Sequence, residues 1–363
     1  MKEPDIGRPI QELDTPALLI DLDLLEANLE AMAAFFRVGP AHLRPHAKSH
    51  KIPQIARMQI AAGAPGVCAA KLGEAEAMVD GGITDVLVAN QIVGPAKIAR
   101  LVSLAERARI GVAVDDPENV AALSRAAKAR GVTLGVLVEI DVGMGRCGVS
   151  GPDGVLRLVR QIVDRPGLEF RGIMGYEGHV MGIKDTAARE EACRKAMEQV
   201  VMAAAHVGGH GLPVSEVSGG GTLTYAISGR VPGITEIQAG SYALMDTNFR
   251  NQGSPFKCAM TVLASIISAP REGVAIGDAG TKVLSTDFGL PEVKDRPGVQ
   301  LQKLAEEHTR LELSAGATLR PGDLIEIIPS HGCTTANLHD TAYAVRGGRV
   351  EDIWPITGRG KSR

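Results

Sequence analysis

The strongest constraint on the fold is an alternation of short strand-like runs with Ala-rich amphipathic helical stretches, from residue 17 to about residue 245. This pattern is typical of parallel βα units, which form a closed barrel or an open doubly wound sheet. The strand-like runs lie at residues 17–21, 42–48, 66–70, 85–89, 110–114, 134–140, 170–175, 214–218 and 235–239. Nine runs are one more than an eight-stranded barrel holds.

The run at 17–21 is the one we place outside the ring, because it follows an N-terminal arm and leads into a helical stretch at 23–36. The other eight runs predict a (β/α)8 barrel of the TIM type. A doubly wound sheet would need a glycine-rich turn after its first strand, and residues 21–26 contain no glycine. We therefore predict an α/β protein with a barrel over residues 16–246.

The pattern changes after residue 246. Few helical patterns remain, and Gly, Pro and Asp turns separate the strand-like runs 258–269, 273–277, 309–313, 323–328, 341–345 and 349–354. Such a series predicts an antiparallel β domain. We assign it to residues 247–363 and expect the N-terminal arm, residues 1–15, to join it.

Charge and cysteine content narrow the range of partners. Lys plus Arg number 39 and Asp plus Glu 42, a net charge of -3, so nothing attracts nucleic acid or anionic lipid. No apolar run reaches the roughly 18 residues of a membrane span. The five cysteines are odd in number, widely spaced and without a CxxC pair, which argues against a disulfide framework. We expect a cytoplasmic protein with a small-molecule partner, and neither nucleic acid nor membrane.

Reactive groups of a barrel belong at the C-terminal ends of its strands. Five strand ends carry such groups: 46–51 after the first ring strand, 139–146 after the fifth, 175–179 after the sixth, 218–222 after the seventh and 238–242 after the eighth. A basic, hydroxyl-rich and glycine-rich set is therefore expected at one mouth of the barrel.

The glycine run 219–221, with Gly220 and Gly221 followed by Thr222, has the composition of a phosphate-binding turn, since backbone N–H groups can approach an anion without Cβ interference. Alone, such a run is more often a tight turn without a ligand. A phosphate site is favoured here because a second small and polar group follows the next strand: Gly240, Ser241 and Tyr242.

Lys48 ends the first predicted ring strand, where its amine would point into the barrel mouth and could form a Schiff base. The alternative is a solvated surface lysine, which we prefer for Lys51. An imine-forming lysine opposite a phosphate turn suits pyridoxal phosphate. Tyr176 and Arg146 are candidates to contact its pyridine nitrogen and phenolate oxygen. Their alternatives are a tyrosine at the barrel rim and an ion pair to Glu139 or Asp141.

Several segments together resemble the D-threonine aldolase and D-serine dehydratase family, a branch of the alanine-racemase-like pyridoxal-phosphate enzymes. They lie at 15–22, 44–51 (Arg-Pro-His-Ala-Lys-Ser-His-Lys), 138–143, 145–148, 218–222 (Ser-Gly-Gly-Gly-Thr), 238–246, 278–280, 307–308, 329–333, 337–340 and 354–356. The resemblance thus runs in order over nearly the whole chain.

The resemblance implies a barrel plus a β domain, and a homodimer with its active site near the subunit boundary. It also implies roles for individual residues. Lys48 matches the Schiff-base lysine. The residues that match cofactor contacts are Arg146, Tyr176, Thr222, Gly240, Ser241 and Tyr242. His331 and Cys333 match two ligands of a divalent metal, and in the family this metal lies beside the cofactor and engages the substrate's β-hydroxyl.

The spacing of the metal pair can also be interpreted without the resemblance. If His331 and Cys333 lie on a strand, their spacing of two puts both side chains on one face. An isolated His-x-Cys is more often a buried cysteine beside an unrelated histidine, and the resemblance overturns that preference. Aldolase members often carry Asp at the position of Cys333 and use manganese, whereas dehydratase members carry Cys and bind zinc. Residues 334–340 are closer to the aldolases.

We give the longer surrounding match more weight and predict a pyridoxal-phosphate- and metal-dependent D-threonine aldolase, with Zn or Mn as the metal. It would cleave β-hydroxy-D-amino acids to glycine and an aldehyde. The alternative is a D-serine or D-threo-3-hydroxyaspartate dehydratase; a non-catalytic pyridoxal-phosphate-binding protein is disfavoured because such proteins lack a second domain. We predict that His50 shuttles protons, although its position in the sequence equally fits an ordinary histidine at a strand end without a catalytic role. His179 is a weaker candidate for the same proton transfer.

Overall fold

A computed structural model describes residues 5–363; residues 1–4 of the predicted N-terminal arm lie outside the described part. The chain divides into two compact units. The barrel unit comprises residues 32–48, 53–240 and 361–363, and the sheet unit comprises residues 5–31, 49–52 and 241–360. Strands are numbered β1 to β17 and helices α1 to α10 along the chain.

Eight parallel strands form the barrel unit. They are β2 (His42–Leu43), β3 (Val67–Ala69), β4 (Asp85–Gln91), β5 (Arg109–Val114), β6 (Leu134–Glu139), β7 (Leu168–Met174), β8 (Glu216–Gly219) and β9 (Glu236–Ile237). Their order is β2-β9-β8-β7-β6-β5-β4-β3. A single parallel bridge between His46 and Cys68 joins the two ends of this order. The predicted (β/α)8 barrel is thereby confirmed.

The first eight helices are α1 (Leu22–Arg37), α2 (Pro53–Ala61), α3 (Leu72–Asp80), α4 (Pro95–Leu104), α5 (Pro117–Arg130), α6 (Gly151–Val163), α7 (Thr186–Gly209) and α8 (Tyr225–Ser228). Helix α5 shows how local sequence sets their limits. The Asp116 side chain accepts the Asn119 N–H, Pro117 occupies the first turn, and Gly131 ends the helix in the left-handed region. A buried cluster contributed by five successive strands contains Cys68, Leu87, Ala113, Leu137 and Met174.

Two arginines of the barrel unit are fully buried. Arg44 donates from Nε to Glu236 Oε2 and from Nη1 to Asp85 Oδ1, both at 2.6 Å. Arg171 donates from Nε and Nη2 to Glu216 Oε1 at 2.8 and 2.6 Å. The three carboxylates are the first residues of β9, β4 and β8, so the N-terminal ends of these strands carry buried ion pairs.

A nine-stranded sheet dominates the sheet unit. Its strands are β1 (Ala17–Asp21), β10 (Met260–Arg271), β11 (Val274–Gly277), β12 (Glu292–Val293), β13 (Val299–Leu304), β14 (Thr309–Leu313), β15 (Leu324–Ile328), β16 (Thr341–Arg346) and β17 (Arg349–Pro355). The main path is β13-β14-β11-β10-β1-β16-β17, while β15 pairs with β10 and β12. Helices α9 (Thr247–Asn251) and α10 (Gly332–Ala336) complete the unit.

The second sheet departs from the prediction in three respects. It is mixed, because β1 runs parallel to β16 while every other pair is antiparallel. Strands β12 and β13 were not predicted. The units also divide the chain after residue 240 and place residues 16–31 with the sheet, because β1 is hydrogen-bonded between β10 and β16. Within residues 5–363, no helix combines the length and apolar character that a membrane span requires.

Candidate active site

Lys48 lies in a one-turn 3-10 helix, Ala47–Ser49, and not in a strand. The assigned strand ends at Leu43, but Arg44 and His46 still donate their N–H groups to Ile237 and Ala239, so the predicted strand over 42–48 was wrong only where the helical turn begins at residue 47. The Lys48 side chain is exposed, and its Nζ lies 6.0 Å from the centroid of the Tyr176 ring. The predicted position at the barrel mouth is thus reached through a turn.

The Tyr176 ring lies at the centre of the basic group in the barrel unit. The Arg146 guanidinium carbon is 5.7 Å from the same ring centroid. A Cβ built on Gly221 would lie 3.5 Å from Tyr176 Cε2, so the glycine turn also borders the ring. Arg146 is half exposed and its Nη2 lies 3.8 Å from Glu139 Oε1, which is one of the ion pairs considered as an alternative role.

Asp141 shapes the loop that carries Arg146. Its Oδ1 accepts the Gly143 and Gly145 N–H groups at 3.0 and 3.1 Å, and the Gly143 bond is the main reason that the pKa of Asp141 is lowered. Gly143 has φ +118°, and a Cβ there would lie 3.0 Å from His179 Nε2. His179 therefore packs against this loop, and only glycine leaves room for it.

In the glycine turn, residues 219–221, two backbone amides donate hydrogen bonds to acceptors within the protein. Gly220 N–H donates to Glu177 Oε2 at 3.1 Å, and Gly221 N–H donates to Thr224 Oγ1 at 2.9 Å. Gly220 has φ +77°, and a Cβ there would approach Ile237 Cδ1 to 2.8 Å. These two glycines therefore shape the turn, and Thr222 is buried within it.

The barrel unit accordingly groups a primary amine, a guanidinium, an aromatic ring and a glycine turn. This donor set fits pyridoxal phosphate, which needs an amine for its aldehyde and cationic or N–H donors for its anionic groups. Gly240 is the last residue of this unit before the sheet unit begins.

His50, the predicted proton shuttle, belongs to the sheet unit and is fully buried. Its Nδ1 accepts the Ile52 N–H at 3.0 Å. The alternative of an ordinary strand-end histidine was wrong, because residues 47–49 form a helical turn. Lys51 is buried with φ 60°, so the expectation of a solvated lysine there was wrong.

Ser241 and Tyr242 have different environments. Ser241 Oγ lies 3.7 Å from Cys333 Sγ, whereas Tyr242 is buried with its ring centroid 5.5 Å from that of Phe256. Ser241 thus neighbours the predicted metal ligand, and Tyr242 contributes to the core of the sheet unit.

His331 and Cys333 are brought together by a helix start. Strand β15 ends at Ile328, His331 precedes the first residue of α10, and Cys333 lies in its first turn. The Cys333 thiol lies close enough to the His331 imidazole to raise its pKa. The expectation that His331 and Cys333 lie on a strand was wrong, and their role as metal ligands stays a prediction. Within residues 5–363 no group of three or more His, Cys, Asp or Glu side chains is arranged to hold a metal.

Asp287, which the sequence analysis missed, orients the His331 imidazole. Its Oδ2 lies 2.6 Å from His331 Nδ1, and it also accepts hydrogen bonds from Ser285 and Thr334. Burial lowers the pKa of His331, but Cys333 and Asp287 outweigh it and raise the pKa to about 9. A nitrogen and a sulfur donor, with a carboxylate behind the imidazole, fit a divalent metal such as zinc.

Asp246 holds the segment before Cys333. Its Oδ2 accepts the Gly332 N–H and its Oδ1 the Phe249 N–H, both at 2.9 Å. Burial raises the pKa of this carboxyl, against the effect of the Gly332 hydrogen bond. The predicted ligand pair is therefore fixed from two sides, by Asp246 at the backbone and by Asp287 at the imidazole.

Comparison with known proteins agrees with the resemblance. The family model for the alanine racemase N-terminal domain matches residues 20–247, and a model for a serine dehydratase domain matches residues 259–345. A D-threonine aldolase of Arthrobacter sp is 40% identical over 362 residues, which cover 98% of this chain and 96% of that protein. The chain belongs to the D-threonine aldolase and D-serine dehydratase family.

Two further relatives of this family are similar over the full length. A 3-hydroxy-D-aspartate aldolase of Paracoccus denitrificans is 38% identical over 98% of this chain and 94% of its own. The crystal structure of D-threonine aldolase from Filomicrobium marinum superposes with a TM-score of 0.96 at 42% identity, over 98% of this chain and 99% of that one. The predicted family and fold are confirmed.

Proposed function

We propose that this protein is a pyridoxal-phosphate- and divalent-metal-dependent D-threonine aldolase. It cleaves β-hydroxy-D-amino acids to glycine and an aldehyde. The observation that carries this proposal is the grouping of Lys48 and Arg146 around the Tyr176 ring, in a chain that aligns along its whole length with a D-threonine aldolase.

The residues proposed to form the cofactor site are Lys48, Arg146, Tyr176, Gly220, Gly221, Thr222, Gly240, Ser241 and Tyr242. Lys48 attaches the cofactor through its amine, and Arg146 provides the positive charge that its anionic oxygens need. When bound, pyridoxal phosphate accepts the electron pair that the substrate's Cα–Cβ bond releases. For Gly220 and Gly221 we propose a conformational role, because their amides are bonded to Glu177 and Thr224.

His331 and Cys333 are the proposed metal ligands, and Asp287 keeps the His331 ring in place for binding. A divalent metal lowers the pKa of a bound hydroxyl group, which is the ionisation that aldol cleavage requires. The Cys333 thiolate favours zinc over manganese, because soft ligands prefer zinc.

His50 is the proposed proton carrier. Since Nδ1 accepts the Ile52 N–H, Nε2 carries the hydrogen of the neutral ring. Nε2–H is therefore the group that would pass a proton on, and the ring would take up the β-hydroxyl proton only after Nε2 has released its own.

Dehydration is the second candidate, and two observations favour it. Cys333 is the ligand expected of zinc-dependent dehydratases, and residues 259–345 match a serine dehydratase domain. In that reaction Lys48 would remove the α-proton, the β-hydroxyl would leave as water, and hydrolysis of the unsaturated amine product would give a keto acid and ammonia.

Product analysis of zinc- or manganese-reconstituted protein separates these functions. The substrates are D-threonine, D-phenylserine, D-serine and D-threo-3-hydroxyaspartate, with L-threonine as control. Glycine and an aldehyde support the aldolase, whereas a keto acid and ammonia as main products establish the dehydratase. A chelator should abolish turnover without removing the cofactor absorbance. Cofactor binding with no turnover under any metal would contradict both reactions and identify a carrier.

We further propose a cytoplasmic homodimer. Light scattering coupled to size-exclusion chromatography should give twice the chain mass of 38.1 kDa. Fractionation of cells that express the protein checks its location.

A further inference from the structure

Glu177 is a buried carboxylate with several hydrogen bonds and no role in the proposed chemistry. Only 1% of the residue is exposed. Its Oε2 accepts the Gly220 N–H at 3.1 Å, and its Oε1 accepts the hydroxyls of Thr224 and Ser228 at 2.6 and 2.7 Å. The Cys193 thiol lies 3.8 Å from the same oxygen.

These contacts all lead to the glycine turn and to the short helix α8 that follows it. Thr224 Oγ1 also accepts the Gly221 N–H, so the chain of hydrogen bonds runs from Gly221 through Thr224 to Glu177. Both glycine amides thereby depend on one carboxyl group. Ser228, at the end of α8, holds the far side of the same turn.

The partners of Glu177 are uncharged. In the described part of the chain no Lys, Arg or His forms an ion pair with it, unlike the buried Glu236, which pairs with Arg44. A buried carboxylate is unfavourable unless hydrogen bonds compensate for lost hydration. Its donors here are mainly backbone and hydroxyl groups of one loop, so its interactions order that loop.

Glu177 also follows Tyr176 directly in the chain. The segment that presents the Tyr176 ring to Lys48 and Arg146 therefore fixes the glycine turn as well. Any displacement of the turn is resisted by bonds anchored beside that ring.

We propose that Glu177 is a positioning residue that fixes the backbone conformation of the glycine turn before the phosphate group of the cofactor binds. This inference rests on the proposed pyridoxal-phosphate function. Glu177 would thus increase the affinity for the phosphate group of the cofactor, and it would not affect the bond between the cofactor's aldehyde and Lys48. Pre-ordering a binding loop raises affinity because less conformational freedom is lost on binding.

The test compares pyridoxal phosphate with pyridoxal, which has the same aldehyde but no phosphate. Apoprotein with Glu177→Gln is titrated with each ligand, and absorbance and fluorescence report the dissociation constants. Glutamine keeps only one acceptor oxygen, so either the Gly220 N–H or the hydroxyls of Thr224 and Ser228 lose their acceptor. Pyridoxal phosphate should therefore bind about tenfold or more weakly, a change of about 1.4 kcal/mol per tenfold. Pyridoxal affinity should be unchanged.

Thr224→Val provides a second variant if Glu177→Gln does not fold. It removes the link between Gly221 and Glu177 while keeping side-chain shape, and should show the same selective loss. The double variant should lose less than the sum of the single losses, since both break one network. Glu198→Gln, an exposed change on α7, is the matched control and should leave both affinities unaltered.

Equal weakening of both ligands, or no weakening of either, would overturn the role of Glu177. If the unaltered protein binds pyridoxal phosphate no better than pyridoxal, the positioning role also fails. If it binds neither ligand, the proposed function itself is wrong, and the two failures are thereby distinguished.

Discussion

The cationic side chains at the two ends of the barrel strands differ in burial and in pairing with carboxylates. At the N-terminal ends, buried Arg44 and Arg171 each meet carboxylates at 2.6 Å. At the C-terminal ends, Lys48 is exposed and forms no ion pair with the described residues, and Arg146 reaches Glu139 only at 3.8 Å. The first arrangement neutralises each cation within the fold, while the second leaves cations for an external anion.

This difference separates residues that stabilise the barrel from residues for which we propose a role in cofactor binding. Buried, paired charges are expensive to break because the remaining partner is left buried without compensation. Exposed, weakly paired cations contribute little to folding, and changing them alters ligand binding instead. Substitutions at the two ends should therefore have opposite signatures.

The largest effect is expected from Lys48→Ala at the C-terminal end. It should abolish turnover and covalent cofactor attachment while changing the free energy of unfolding by about 0.5 kcal/mol or less, since the side chain is exposed. Borohydride reduction followed by peptide mass spectrometry identifies the labelled lysine. Lys97→Ala, an exposed change on α4, is the control. Label on any other lysine contradicts the assignment.

At the opposite end, Glu236→Gln should lower the free energy of unfolding at pH 7 by about 3–5 kcal/mol, because it breaks a buried ion pair. Burial raises the pKa of Glu236, but hydrogen bonds from His42 and Arg44 outweigh burial and lower it to about 2. The unfolded value is about 4.3. A depressed pKa stabilises the fold above the unfolded value, and this stabilisation is lost as pH falls from about 4.3 towards 2.

Urea unfolding at several pH values measures both effects. The parent should lose stability steeply across this acid window, and the Gln variant less so. Equal acid dependence of the two proteins would show that Glu236 is not the group whose protonation matters.

A smaller loss is expected from Gly135→Ala. The new Cβ would collide with Arg171 Cδ, and overpacking of this kind costs about 1–3 kcal/mol. Gly208→Ala on α7 is the matched control, because its Cβ would meet nothing within 4 Å. Thermal unfolding of both variants checks the difference, and cofactor affinity should stay constant. A stable Gly135→Ala protein would mean that Arg171 can move freely.

The smallest expected change in stability is that of Arg146→Lys. A half-exposed arginine with a 3.8 Å ion pair contributes within about 0.5 kcal/mol to folding. Lysine keeps the charge but loses the planar donor group, so pyridoxal phosphate should bind severalfold more weakly. Titration of the apoprotein measures this; unchanged affinity would remove Arg146 from the cofactor contacts.

Sequence periodicity predicted the ring well because strand and helix patterns alternate over eight units. The mouth residues followed from one rule about strand ends, which placed Lys48, Arg146 and Tyr176 on the same face before their distances were known. Two of the expected local structures were nevertheless wrong. Lys48 lies in a one-turn helix that follows the strand, and His331 and Cys333 lie at a helix start and not on a strand.

The supporting carboxylates could not be predicted from sequence. Glu177 and Gly220 are 43 positions apart, and Asp287 and His331 are 44 apart. No periodicity connects such pairs, since their meeting depends on strand register and loop path. Glu177 follows Tyr176 in the predicted strand end, but the sequence does not show that its side chain is buried. That burial, which only the structure shows, distinguishes Glu177 from a solvated surface glutamate.

The single bridge between His46 and Cys68 makes the ring unequal around its circumference. Neighbouring strands from β4 to β7 pair over four or more residues, whereas β9 pairs with β2 over two residues and with β8 over two residues. Amide hydrogens near this seam should exchange with solvent at a lower opening free energy than those of β5 and β6. Lys48 lies two residues beyond the bridge, so a ligand that binds only the closed seam would slow that exchange by mass action. Cofactor affinity and the hydrogen-exchange rate of the seam amides would then report the same opening equilibrium.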